Sequence, residues 1–72
     1  MRMTGVVSEG IRAVGYDADT RTLRVEFRSG GVYDYLDVDE DLYRRLLEPH
    51  PWHRVGPLVL DHDYVPVRRA GE

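Results

Sequence analysis

From Leu23 to Leu36 the chain reads LRVEFRSGGVYDYL, and apolar and polar positions alternate through most of it. Leu23, Val25 and Phe27 interleave with Arg24, Glu26 and Arg28. A period of two predicts a strand with one face buried and one face in water. Ser29-Gly30-Gly31 interrupts the alternation with residues that tolerate positive φ. Val32-Tyr33-Asp34-Tyr35-Leu36 then resumes it with β-branched and aromatic residues. The stretch predicts a β-hairpin. A three-residue loop, Ser29-Gly30-Gly31, sets Phe27 opposite Tyr33 and Val25 opposite Tyr35, with both tyrosines on the core face. A two-residue loop would set Phe27 opposite Val32 or Asp34. The first of these registers exposes the tyrosines and turns Asp34 inward, where an unpaired carboxylate is costly. The three-residue loop is preferred.

Ile11 to Tyr16 predicts a first strand, with Val14 and Tyr16 facing the core and a local irregularity bringing Ile11 in. Gly15 marks a bulge or a close backbone approach. Asp17-Ala18-Asp19-Thr20-Arg21 is a turn held by side-chain hydrogen bonds to nearby N–H groups. The aspartates lack the further ligands and closing Glu of a calcium loop. Asp37 to Asp41 opens a helix, with Asp37 or Asp39 as its cap and acidic residues complementing the helix dipole. Leu42, Tyr43, Leu46 and Leu47 form its apolar stripe, and Pro49 ends it. A short helical turn is expected over Trp52 to Val55, closed by Gly56. Leu58-Val59-Leu60 and Asp61 to Val65 follow as a last strand or an arm across the sheet. Residues 1–7 and 66–72 read as flexible tails, with Val6 and Val7 available for a short pairing. The expected fold is α+β: a three-stranded antiparallel β-meander with one main α-helix on one face, a short helical turn and an extended C-terminal arm, in one domain with its core at residues 8–65.

Composition narrows the function classes. A chain of 72 residues buries only about 60% of its unfolded surface and has little room for an internal active site. Cysteine is absent, which excludes disulfides and thiolate metal sites. No leader-like apolar run or membrane span of about 18 residues is visible, so a cytoplasmic, non-membrane protein is expected. The formal net charge of −3 opposes strong non-specific binding to nucleic acid. All ten basic residues are Arg, which suits bidentate phosphate or carboxylate pairing and equally reflects genome composition.

An ordered set of residues resembles a known family. It comprises Ser8 and Ile11; Val14-Gly15-Tyr16-Asp17; Leu23, Val25 and Phe27; Gly30 or Gly31; Tyr33-Asp34-Tyr35 as a Tyr-x-Tyr motif; then Val38, Leu42, Tyr43, Leu46 and Tyr64. The chain resembles the KTSC domain over roughly residues 8 to 65, as a divergent stand-alone member. That module is named for the C-terminus of some lysyl-tRNA synthetases. The resemblance implies a small α+β module without an established molecular function, for which RNA binding has been suggested. Three departures weaken that suggestion here. Asp39 stands where the family has a proline at the helix start. Pro51-Trp52-His53-Arg54-Val55-Gly56-Pro57 replaces a segment set among basic residues, and Asp61 and Asp63 replace C-terminal basic residues.

Each candidate site has a structural alternative. Tyr16, Phe27, Tyr33 and Tyr35 could stack bases, but a single helix covering the sheet needs them as core. Tyr43 and Tyr64 are read with them as core and motif positions. Arg24 and Arg28 share the outer sheet face, where Glu26 and Asp34 favour cross-strand ion pairs over a basic patch. Arg44, Arg45 and Arg54 form a second basic group near the helix end. His50, His53 and His62 with Asp61 and Asp63 could ligate zinc, but match no known finger. A triad built on Ser8 or Ser29 lacks a nucleophile elbow. Trp52, flanked by prolines, either plugs the sheet's open end or acts as a contact residue. The expectation is a non-catalytic module without a metal or cofactor, monomeric or weakly dimeric. It contacts an unidentified protein through the sheet edge or Trp52. The alternative is an RNA-contact module using Arg24, Arg28, Arg44, Arg45 and Arg54, and zinc-dependent hydrolysis is the remote third.

Overall fold

The alternation at Leu23–Phe27 becomes the central strand of a five-stranded sheet. The computed structural model describes residues 1–49 and 52–69. Its strands are β1 (Thr4–Gly5), β2 (Ile11–Asp17), β3 (Thr22–Phe27), β4 (Val32–Tyr35) and β5 (Tyr64–Arg68). They lie in the order β1-β2-β3-β4-β5, each antiparallel to its neighbours. Helices α1 (Glu40–Leu46) and α2 (Trp52–Leu60) connect β4 to β5. The expected three-stranded meander is therefore extended by one strand at each edge. The first lies wholly and the second partly in segments read as tails: Thr4–Gly5 pairs with Val14 and Ala13, and Pro66–Arg68 belongs to β5.

The β3–β4 hairpin keeps its expected faces in a different register. Phe27 N–H donates to Gly31 C=O at 2.8 Å, and Gly30 N–H donates to Phe27 C=O at 3.0 Å. The loop is thus Arg28-Ser29-Gly30, with Gly30 at φ 103. It has three residues and a left-handed glycine, one position earlier than Ser29-Gly30-Gly31. Leu23 lies opposite Tyr35, Val25 opposite Tyr33, and Arg24 opposite Asp34. This register differs by two residues from Phe27 opposite Tyr33. An even slip leaves every side chain on its own face. Asp34 accordingly stays out of the core, clasped by Arg24 Nε and Nη2 at 2.8 and 3.0 Å.

A bulge in β2 brings Ile11 inside as anticipated. Ile11 faces Phe27 while Ala13 faces Glu26, and Ile11 and Val14 are both completely buried. Gly15 is the close approach and not the bulge: a Cβ there would stand 2.7 Å from the Arg2 carbonyl oxygen. The turn after β2 holds an Asp19 N–H to Asp17 Oδ1 bond of 3.0 Å.

Asp39 caps α1, its Oδ1 accepting from Leu42 N–H at 2.9 Å. Asp37 cannot serve because it occupies a left-handed corner, φ 56, beside Arg21 at φ 55. Val38 N–H donates to Arg21 C=O there at 2.9 Å, and the Tyr16 hydroxyl donates to Val38 C=O. Leu42 and Leu46 enter the core with Leu23, Val25, Tyr35, Val38, Val55 and Val59. Leu47, expected on the same stripe, is exposed because the helix closes at it.

The largest correction is α2. The expected turn ending at Gly56 is a helix running through Gly56 and Pro57 to Leu60. Pro57 removes one helical hydrogen bond, but Val55, Gly56 and Val59 are buried against the core. Tertiary burial holds a helix that local propensity would stop. No helix among the described residues is long and apolar enough to cross a membrane.

Candidate functional site

Five of the seven aromatic residues form one connected row on the helix-covered side of the sheet. Trp52 meets Phe27 edge-on, with ring centroids 5.4 Å apart. Phe27 meets Tyr33 at 5.8 Å, Tyr33 meets Tyr64 at 5.6 Å, and Tyr64 meets Tyr35 at 5.9 Å. Tyr16 stands apart, stacked on Tyr43 at 5.2 Å and 14°. The row follows from strand periodicity: Phe27, Tyr33 and Tyr35 occupy inward positions, and Tyr64 lies directly opposite Tyr35.

Where α2 ends, the row is left uncovered. Phe27, Ser29, Tyr33, Tyr35, Leu60 and Tyr64 line a groove of about 360 Å³. Tyr64, read as a core residue from the sequence, is 58% exposed and forms its rim with Leu60, 57% exposed. Within the described residues the hydroxyls of Tyr33, Tyr35 and Tyr64 make no hydrogen bond, and no buried polar side-chain atom lacks a partner. The three hydroxyls therefore reach solvent. Burial of its ring pushes the Tyr35 phenol above the usual tyrosine range, helped by neighbouring Tyr33 and Tyr64, so it is a neutral donor at physiological pH.

The edge beside this groove is guarded. Leu36 N–H donates to Asp63 C=O at 2.8 Å. Bonded and non-bonded pairs alternate in an antiparallel ladder, so Asp34–Val65 is the next bonded pair. Tyr64 and Pro66 then turn their backbone outward, and proline has no N–H to offer. A register shift between Val32 and Tyr33 leaves Val67 as an extra residue in β5. Proline and a bulge both discourage strand addition. Of the sheet's two edges, the one at β5 presents side chains and few backbone donors.

A second cleft, of about 520 Å³, is lined by Ser8, Glu9, Gly10, Trp52 and His53. No hydrogen bond among the described residues joins Ser8, Glu9 and His53. Trp52 packs partly buried against the core as a plug beside this cleft.

The expected basic residues are dispersed. Arg24 is paired with Asp34, and that hydrogen bonding raises its pKa. Arg28 Nε donates to the Ser8 carbonyl at 3.0 Å. Arg44 pairs with Glu40 one turn earlier on α1. Arg45 is on α1 and Arg54 on α2, whereas Arg24 lies on the sheet face opposite the helices. Glu26 interrupts that face, pairing with Arg12 and Arg68. No three His, Asp or Glu residues among those described converge to hold a metal ion. His62 Nδ1 lies 2.9 Å from the Leu36 carbonyl oxygen. His50, part of the histidine set, lies outside the described residues. The groove was missed because Tyr64 sits two residues before a proline in a short segment; its only signal was the aromatic spacing around Tyr33 and Tyr35.

The KTSC domain family model matches residues 7–50. The chain belongs to the KTSC domain family. The match includes Tyr33-Asp34-Tyr35, so the Tyr-x-Tyr motif supplies two walls of the groove. The crystal structure of a KTSC domain protein from Yersinia pestis is similar with a TM-score of 0.74 and 28% identity, over 93% of this chain and 94% of that one. An uncharacterised protein of Stutzerimonas stutzeri strain A1501 is 38% identical over 48 residues, 67% of this chain and 68% of that relative.

Proposed function

We propose that this KTSC domain is a non-catalytic protein-binding module whose partner docks in the groove between the end of α2 and strands β4 and β5. One observation carries the reading: three tyrosine hydroxyls without a partner among the described residues open beside an apolar groove rimmed by exposed Leu60 and Tyr64. A few convergent polar groups on an apolar concavity characterise binding sites. Exposed aromatics are also frequent centres of binding energy. Dispersal of the arginines and the net charge of −3 weigh against an RNA surface. The unlinked Ser8, Glu9 and His53 weigh against hydrolysis.

A random peptide library selected on the wild-type domain, then counter-selected on Leu60→Ala plus Tyr64→Ala, tests the reading. Both residues are exposed, so the variant should fold. Recovered binders are expected to lose affinity for the variant. Binders indifferent to it, or none at all, would reject the groove as a binding site.

A further inference from the structure

The two edges of the sheet are built differently. The β5 edge carries Pro66 and a bulge, whereas the run Met3-Thr4-Gly5-Val6-Val7 at the β1 edge holds no proline and no charge. Those are the devices that keep an exposed edge from pairing. Val6 N–H donates to Arg12 C=O at 3.1 Å, and Gly5 lies opposite Ala13. Bonded and non-bonded pairs alternate in an antiparallel ladder, so Thr4 and Val6 turn their backbone groups to β2. Met3, Gly5 and Val7 turn theirs outward, and no hydrogen bond among the described residues uses those of Met3 or Val7. Val7 is also 63% exposed.

What flanks this run chooses its occupant. Arg2 stands before it and Glu9 after it, and neither makes an ion pair among the described residues. Laid parallel to a copy of itself, the run would set arginine beside arginine. Laid antiparallel about Gly5, it sets Arg2 at the end where the second copy's Glu9 stands, and the two-fold axis makes that contact twice. The same register faces Gly5 with Gly5 and Met3 with Val7, pairs whose outward groups can exchange both backbone bonds. Thr4 then faces Val6 on the helix-covered side, and Met3 covers the exposed Val7.

We infer that two copies of this chain pair antiparallel through β1, about a two-fold axis at Gly5, into one continuous sheet. The contact lies at the edge opposite the groove, so either can form without the other. A pairing this short is at the small end of specific interfaces, and the dimer is weak and concentration-dependent.

Sedimentation equilibrium from micromolar to millimolar protein tests it. The weight-average mass of the parent chain is expected to rise towards that of a dimer. Val7→Lys, at an exposed position, should leave a monomer. Arg2→Glu and Glu9→Arg should each weaken association about fivefold, because each sets like charges together at both contacts. A mere effect of net charge would move these two variants in opposite directions. Mixed in equal amounts, they carry opposite charges at each contact and should associate as the parent does. A parent chain that stays monomeric throughout overturns the proposal. So does association that Val7→Lys leaves unchanged, or a mixture of the charge variants that fails to recover it.

Discussion

Trp52 sits between two glycines that the chain brings together from distant positions. A Cβ at Gly10 would stand 2.6 Å from its Cδ1, and one at Gly56 would stand 2.9 Å from its Cε2. Phe27 meets the ring edge-on as well, so it cannot retreat without repacking. The sequence left the proline-flanked tryptophan as either a plug or a contact residue, and these contacts are what pack it partly buried against the core. Gly56 was misread as a helix stop. Its missing side chain answers to Trp52, and local sequence carries no sign of that. Gly56→Ala should therefore destabilise the domain by about 1–2 kcal/mol through overpacking, although alanine favours helix. In a Trp52→Ala background the same change should stabilise it by about 0.5–1 kcal/mol. Urea midpoints of the four proteins check this. Additive effects would mean the ring and the glycine are not in contact.

At the scale of elements, strand β3 and the start of α1 were the most legible. Leu23, Val25 and Phe27 state their own periodicity, and Asp39 with Leu42 and Leu46 states a capped amphipathic helix. The hairpin register was not fixed by pattern. Registers two residues apart bury the same set, and the choice depended on hydrogen bonds at Gly30 and Gly31. Strand β5 gave no pattern because all five of its residues are exposed. Its Pro66 marks an edge position, where a missing N–H breaks no pairing within the chain. Pro66→Val restores an outward donor to that edge. It should raise the dimer fraction at high micromolar concentration, measured by analytical ultracentrifugation against the parent chain. An unchanged sedimentation profile would mean that Pro66 does not guard the edge.

Across the whole molecule, burial reaches the phenols of Tyr16 and Tyr35. Desolvation raises both above the ordinary value of 10.0. The unfolded chain then releases these protons at lower pH than the folded one. Their contribution to stability is fully present below pH 10.0 and is lost as pH rises through that value towards the folded pKa values. Urea midpoints should stay level on this account up to that region and then fall. Tyr35→Phe should shallow the alkaline limb. Tyr16→Phe should do likewise and also cost about 1 kcal/mol for the lost bond to Val38. An alkaline limb identical in all three proteins would show that other groups govern it.

Sequence alone determined what short-range physics can state: the α+β class, the faces of β3 and β4, the glycine-bearing loop, the Ile11 irregularity and the Asp39 cap among its alternatives. Ordered motifs also carried the family resemblance. Each depends on neighbours within a few residues, where periodicity and turn chemistry act. Tertiary structure alone decided the hairpin register, the two outer strands, the passage of α2 through Gly56 and Pro57, and the groove. These depend on contacts between remote segments, such as Gly10 with Trp52 and Tyr35 with Tyr64. Burial at such contacts outweighs local propensity, and a one-dimensional pattern does not encode it.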